Sequence, residues 1–288
     1  MPELPEVETV RRGLSPVLVG RRIEQCEVRR PDLRWPFPAQ LDSRLVNRSI
    51  YQIGRRNKHL LIRLDDGNTL MVHLGMSGRI TMHGATDVGR ANAGRGKHDH
   101  FVLGFDDGSL LVYTDPRRFG SIDHVETAGE SEHPRLRDLG PEPTDAGFDA
   151  AVLSSRLRGR PGAIKITLLD QRVIAGLGNI YVCEALHRAG ISPRRRADSV
   201  AGGDKNRITK RVTRLSDGIV SVIDEAIAAG GSTLRDFAGV DGTLGYFPHS
   251  FAVYDREGVD CSQSDCDGVV ARIVQSGRST FYCPDCQR

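Results

Sequence analysis

The sequence predicts an α+β chain in three successive parts: antiparallel β first, helices next, and a short metal-stapled hairpin last. Three observations predict it. Between residues 22 and 125, short apolar runs are broken by turn signals, twice by Asp-Asp-Gly. HLLIRL (59–64) meets TLMVHL (69–74) across one such turn, and FVLGF (101–105) meets LLVYT (110–114) across the other. Two such runs around a short Gly-containing turn read as a hairpin. Over 204–229 the apolar positions change to helical period, with Val212, Leu215, Ile219, Val222, Ile223, Ala226 and Ile227 forming one stripe. Finally, four of the six cysteines crowd into 261–286.

The other elements follow in chain order. Leu4, Val7, Val10 and Leu14 recur at three- and four-residue spacing, so residues 3–14 read as a helix with Pro2 at its start. Glu3, Glu6 and Glu8 then lie near the positive end of its dipole. The Gly-rich segment 83–97 reads as a loop, and the Pro- and Gly-rich stretch 131–149 as a linker. Beyond it, helices are expected near 149–157, 163–172, 179–189, 204–229 and 232–238. The expected domains are therefore 1–130, 150–248 and 249–288. No internal repeat is visible.

The spacing Cys261-x4-Cys266-x16-Cys283-x2-Cys286 puts two close pairs on either side of a hairpin-sized segment. That arrangement suits one tetrahedral Zn²⁺, and four thiolates leave no open position for water, so the metal would be structural. A pair of disulfides is the competing reading, disfavoured in a reducing compartment. Val269, Val270, Ile273 and Val274 with a turn at Ser276-Gly277 predict a two-stranded ribbon between the pairs. A zinc ribbon alone serves enzymes, DNA-binding modules and interaction modules alike.

No run of apolar residues is long enough for a membrane helix. The start MPELPEVETV is acidic at once, unlike a secretory or transit segment, so a cytoplasmic protein is expected. The net charge of +3 argues only weakly for a polyanionic partner. Lysines are few, and arginine clusters stand at Arg55-Arg56, Arg117-Arg118 and Arg194-Arg195-Arg196. Arginine grips phosphate bidentately, though a charge run also serves as a solvated face.

Longer blocks narrow the reading. MPELPEVETVRRGL, RRNKHLL (55–61), HLGMSG (73–78), KHDH (97–100), YTDPRRFG (113–120), LGPEP (139–143), GLGNIY (176–181), DGTLGYF (241–247) and GRSTFYC (277–283) run in order along the chain. In this the sequence resembles the formamidopyrimidine-DNA glycosylase family. The resemblance implies an N-terminal β-sandwich with flanking helices, a helix–two-turn–helix domain and a zinc ribbon. It also implies a DNA-repair enzyme, a monomer on damaged double-stranded DNA at the bacterial nucleoid. Such an enzyme excises oxidised purines and then cleaves the strand.

The resemblance carries residue roles with it. Pro2, exposed by removal of Met1, matches the nucleophile. A terminal α-amine titrates near 7.7–8.0 and is largely available as a nucleophile where a lysine is not. Glu3 matches the general acid, for which a raised pKa is expected. Lys58 matches a phosphate-bonding lysine and Arg278 a phosphate ligand at the ribbon tip. His98, Arg160 and Asn179 match further DNA contacts, and Glu6 a residue near the lesion base. Met76, Arg117 and Phe119 match a wedge that fills the space left by a flipped nucleotide. Taken locally, Pro2 is also an ordinary helix start, Lys58 a strand-edge lysine, Met76 a core gap-filler and Asn179 a plain N-cap. Two departures stand out: RGRPG around Arg160 replaces a lysine-rich stretch, and the first cysteine pair is C-x4-C where C-x2-C is usual. The sister class acting on oxidised pyrimidines, and a non-catalytic damaged-DNA-binding protein, are the alternatives.

Overall fold

In the computed structural model, residues 2–87, 93–204, 207–232 and 251–288 are described. All but the first residue of the expected helix at 232–238, the whole DGTLGYF block and the middle of the 83–97 loop lie outside them. Two compact units form. One takes in the chain up to Arg137 and a return stretch beginning at Ala229; the other holds Asp138–Ala228 and the C-terminal ribbon. The helical and ribbon segments, expected as separate domains, thus share one unit.

The first unit opens with α1 (Leu4–Leu18), whose Leu4, Val7, Val10, Leu14 and Leu18 are all buried. The helix runs one turn past its expected end despite Pro16, because Leu18 completes the apolar stripe in the core. The strands are β1 (Ile23–Val28), β2 (Ile50–Arg56), β3 (His59–Leu64), β4 (Asn68–His73), β5 (Arg79–His83), β6 (Asp99–Phe105), β7 (Leu110–Thr114) and β8 (Ser121–Glu126), with a short α2 (Leu41–Leu45) after β1. They form two antiparallel sheets, ordered β1-β6-β7-β5 and β2-β3-β4-β8. One hydrophobic cluster draws on both sheets and on α1, so the arrangement is the expected β-sandwich. Both Asp-Asp-Gly hairpins form. Gly67 and Gly108 take φ of 78° and 77°, a region open to glycine at little cost. In each turn the second aspartate accepts a hydrogen bond from the backbone N–H two residues on, at 3.0 Å.

The second unit carries α3 (Ala150–Leu157), α4 (Ile164–Leu169), α5 (Asn179–Arg188), α6 (Ala197–Ala201) and α7 (Lys210–Ala228), followed by β9 (Ala271–Gln275) and β10 (Arg278–Tyr282). Asp149 caps α3 by accepting from the Val152 N–H. The turns between α4 and α5 are held by Gln171. Its amide Nε2 donates to the carbonyls of Leu169 and Leu177, and its Oε1 accepts from the Gly176 N–H. The short α6 was not expected, and α7 starts at Lys210 rather than 204. There Thr209 supplies the start, its Oγ1 accepting from the Val212 N–H while donating to the Val200 carbonyl. No helix among the described residues is long and apolar enough to cross a membrane.

Candidate active site, duplex wedge and metal centre

Pro2 does not occupy the first turn of α1, as expected, but stands one residue before the N-cap, which is Glu3; Pro5 holds the proline-tolerant position. Glu3 and Glu6 form a reciprocal capping box, and the Glu3 N–H donates to Glu6 Oε2 at 2.8 Å. Pro2, Glu3 and Glu6 are all buried. Glu6 has a further task. Its Oε1 accepts from both the N–H and the hydroxyl of Ser232, at 2.7 and 2.8 Å. It therefore anchors the chain just ahead of residue 233. Beside it, Gly231 has φ of 82° and a Cβ there would press on Glu6.

Lys58 is not on a strand edge. It sits in the two-residue turn between β2 and β3, after Asn57 at φ 55°, and is 7 % exposed. Arg55 ties this hairpin to α1 through Glu8, with Nε–Oε2 at 3.2 Å. Burial raises the Glu8 pKa, but bonds from Arg11 and Arg12 and the nearby Arg55 charge outweigh it and hold the carboxyl down at about 2. Arg55 is thus committed to the fold. His59 and His73 pair across β3 and β4 with ring centroids 4.7 Å apart. Burial, the neighbouring imidazole and nearby cations including Lys58 push His59 well down. Burial and the Lys58 charge push His73 down to about 4. Both imidazoles are therefore neutral near pH 7, and His73 Nδ1 accepts from the Gly75 N–H.

Met76, Arg117 and Phe119 come from two turns that one buried carboxylate joins. Asp115 is fully buried. Its Oδ1 accepts from the Ser77 hydroxyl at 2.6 Å and its Oδ2 from the Gly120 N–H at 2.9 Å. Ser77 in turn accepts from the Arg117 N–H. Gly75, at φ 64°, lies so close to the Phe119 backbone that a Cβ would approach it to 2.3 Å. Above this base Phe119 is 41 % exposed, with the Arg117 guanidinium 5.0 Å from its ring centre. Met76 is half-buried and stands outside the hydrophobic core. An exposed aromatic on a rigid polar base suits insertion into a base stack. His98 joins the same assembly: its carbonyl accepts from the Asp115 N–H, and its ring is 6.3 Å from that of His100, whose Nε2 bonds the Asp115 carbonyl. Replacing Asp115 by Asn turns an acceptor into a donor facing existing donors. The expected cost is about 2–3 kcal/mol, read as a lower unfolding midpoint. An unchanged midpoint would remove this positioning role.

The four cysteine sulfurs Cys261, Cys266, Cys283 and Cys286 lie within 4.8 Å of one another. The Cys261–Cys286 and Cys266–Cys283 separations are 3.7 and 3.6 Å, and all four are free thiols. Sulfurs about 2.3 Å from a tetrahedral zinc stand about 3.8 Å apart, so the site fits zinc and not disulfides. The longer C-x4-C loop closes on the same point. Gly268 donates to Cys266 Sγ, and a Cβ there would strike Cys283 Sγ at 2.7 Å. His187 of α5 is buried with Nε2 3.4 Å from Cys261 Sγ.

The β9–β10 turn has Ser276 at φ 48° and Gly277 at φ 73°, the signs of a type I′ turn. Arg278 follows it and is exposed. The next residue is clamped from two helices: the Ser279 carbonyl accepts from Lys165 Nζ of α4 at 3.1 Å and from Asn179 Nδ2 of α5 at 2.9 Å. Asn179 is therefore the first residue of α5, and Gly178 is its cap. Lys165, fully buried, also donates to Thr280 Oγ1 at 2.7 Å. Arg160 is exposed, with its Nε on the Arg156 carbonyl. Asp115, Ser77, Lys165 and His187 were missed from the sequence. Only Asp115 carried a local signal, Asp-Pro, and that signal reads as a turn.

Comparison with known proteins accords with this geometry. Residues 1–122 match the formamidopyrimidine-DNA glycosylase N-terminal domain, 139–238 the H2TH domain of the same glycosylases, and 264–288 a zinc finger found in FPG and IleRS. The last match begins after Cys261. The formamidopyrimidine-DNA glycosylase of Dinoroseobacter shibae is 54 % identical, and that of Ruegeria pomeroyi 52 %, with all of both chains covered in each case. Among solved structures, the Lactococcus lactis Fpg in complex with abasic-site DNA is 34 % identical with a TM-score of 0.86, again over all of both chains. From its ordered domains and these full-length relatives, the chain belongs to the formamidopyrimidine-DNA glycosylase family.

Proposed function

We propose that the chain is a base-excision repair enzyme, both a DNA glycosylase and an abasic-site lyase, acting as a monomer on oxidised purines in duplex DNA. The full-length similarity to curated glycosylases carries the reading. The complexes of the Lactococcus lactis protein with Fapy-dG and abasic-site DNA support it. The bacterial cytoplasm, at the nucleoid, is the expected place of action.

In this reading the work divides along the chain. Residues 1–130 supply the chemistry, 131–149 connect, 150–248 grip DNA and 249–288 carry the ribbon. Met76, Arg117 and Phe119 enter the stack as the damaged nucleotide leaves it. The Pro2 amine attacks C1′ as the base departs, giving an iminium, and Glu3 supplies the proton that opens the sugar ring or assists departure. The iminium is the electron sink for β-elimination of the 3′ phosphate, and δ-elimination of the 5′ phosphate follows. Lys58, Arg278, Asn179, His98 and Arg160 take phosphates, and Arg278 assists the second elimination. Glu6, near the lesion base in this scheme, also fixes Ser232. When bound, zinc contributes no reaction step; its four thiolates fix the hairpin that presents Arg278.

Excision from 8-oxoguanine opposite cytosine is expected to exceed excision of thymine glycol. The reverse preference would move the chain to the pyrimidine class. Tight binding to both lesions with neither excised would make it a non-catalytic binder.

A further inference from the structure

Many arginines of this chain are spent internally, on partners such as Glu8, Glu130, Asp123, Asp170, Asp198 and Glu225. Four further cations lie together without such a partner. Arg207, Lys210, Arg211 and Arg214 are all exposed, and among the described residues none has an ion-pair partner. They line one open pocket of about 510 Å³ where the α6–α7 connection meets the first turns of α7. A single carboxylate, Asp204, shares the lining.

This placement is unfavourable for the isolated chain. Lys210 and Arg214 are like charges at i,i+4, and Arg211 and Arg214 at i,i+3, each pair costing a few tenths of a kcal/mol. Lys210 and Arg211 also sit in the first turn of a 19-residue helix that has no acidic residue there. Cations at that end oppose the helix dipole. A local conflict that nothing in the fold compensates is expected where a ligand supplies the compensation. Here the missing charge is negative and must be multiple, because four cations share one opening.

The pocket also continues towards the loop that carries Arg160. Gly202 and Gly203 line a second pocket together with Arg158 and Gly159. The Arg160 carbonyl accepts from the Asp198 N–H at 3.0 Å, and Arg158 Nη2 reaches the Asp204 carbonyl. We infer that Arg207, Lys210, Arg211 and Arg214 form a second DNA-backbone contact, holding phosphates of the duplex that flanks the lesion. The inference rests on the reading of the chain as a duplex-DNA enzyme.

The test uses the full-length, zinc-loaded enzyme and duplexes with a central tetrahydrofuran residue. One has about half a helical turn on each side and the other about two turns, at about 10 bp per turn. Wild type is expected to bind the longer duplex more tightly. The variant R207A/K210A/R211A/R214A should match wild type on the short duplex and lose the gain on the long one. Each phosphate released from contact removes about 0.9 from the slope of log K against log salt. The long-duplex slope should therefore flatten by roughly two to three. Acetylation of Lys210, read by mass spectrometry, should be blocked by the long duplex and not by inorganic phosphate at equal ionic strength. Equal Lys210 labelling with and without the long duplex, or a slope unchanged in the variant, would overturn the inference. Protection by phosphate alone would make the pocket a free-anion site and overturn it as well. Failure of wild type to bind either duplex would instead count against the repair reading.

Discussion

A chain that retains Met1 is expected to bind lesion duplex and to yield no borohydride-trapped adduct. With Met1 in place the Pro2 nitrogen is a tertiary amide and has no lone pair to offer C1′. Once it is freed, the case for Pro2 is quantitative. At pH 7, a group with the pKa of a terminal amine is roughly 15 % neutral, whereas a lysine of ordinary pKa is neutral in only about 0.04 % of molecules. The terminal amine thus starts with an advantage of a few hundredfold before positioning is considered. Positioning comes from Glu3, which follows Pro2 directly and is locked to Glu6 by the capping box. Excision by the Met1-retaining chain should fall at least about a hundredfold, the lower bound for losing a positioned catalytic group. Pro2→Gly is the companion variant, since a terminal glycine amine can still form the adduct. A rival amine in the same unit is Lys58, buried in the β2–β3 turn. If the Met1-retaining chain still traps and Lys58→Arg abolishes the trapping, the nucleophile is Lys58 and the assignment of Pro2 is wrong.

The elements that the sequence made legible are those set by local period or spacing. The α1 stripe, the two Asp-Asp-Gly hairpins, the ribbon turn and the four cysteines each signal within a few residues. What stayed hidden is settled by long-range partners. Arg55 looked like half of a phosphate-binding pair, yet Glu8, 47 residues away, claims it. Nothing local marks Lys165 for burial, yet it is fully buried, because Ser279 and Thr280 arrive more than 100 residues later to accept its hydrogen bonds. Asp115 read as a turn former, and its role exists only once the Met76 turn is folded beside it. Helix α6 is five residues long, too short for a 3.6-residue period to declare itself. The shift of Pro2 to a place ahead of the cap has the same origin: two prolines three apart both fit a helix start, and the capping box chooses Pro5.

Loss of any one zinc ligand should cost more than any other single change in the second unit. Structural zinc contributes about 10–16 kcal/mol of apparent binding free energy in small zinc modules, as much as the whole stability of a typical domain. The ribbon has little else. Its separate hydrophobic cluster comprises Cys183, Val253, Val270 and Phe281, with Tyr254 at the margin, while Val274 is 67 % exposed. The Lys165 and Asn179 bonds that hold Ser279 depend on β10 being formed, so Arg278 loses its support when the hairpin melts. Cys266→Ala is therefore expected to abolish zinc content, unfold 261–288 and reduce δ-elimination, while the β-sandwich unit keeps its fold. Cys261 is the more searching case. It lies outside the zinc-finger match that begins at residue 264, in the C-x4-C loop that departs from the usual spacing. His187 stands 3.4 Å from its sulfur, close enough to coordinate in its place. The 3.7 Å contact between Cys261 and Cys286 favours the thiol as ligand, with His187 as its hydrogen-bond partner. Cys261→Ala should then lose zinc as fully as Cys266→Ala, and His187→Gln should retain it with weaker affinity. Full zinc in Cys261→Ala, lost again when His187 is also removed, would replace the four-cysteine site with three cysteines and one histidine.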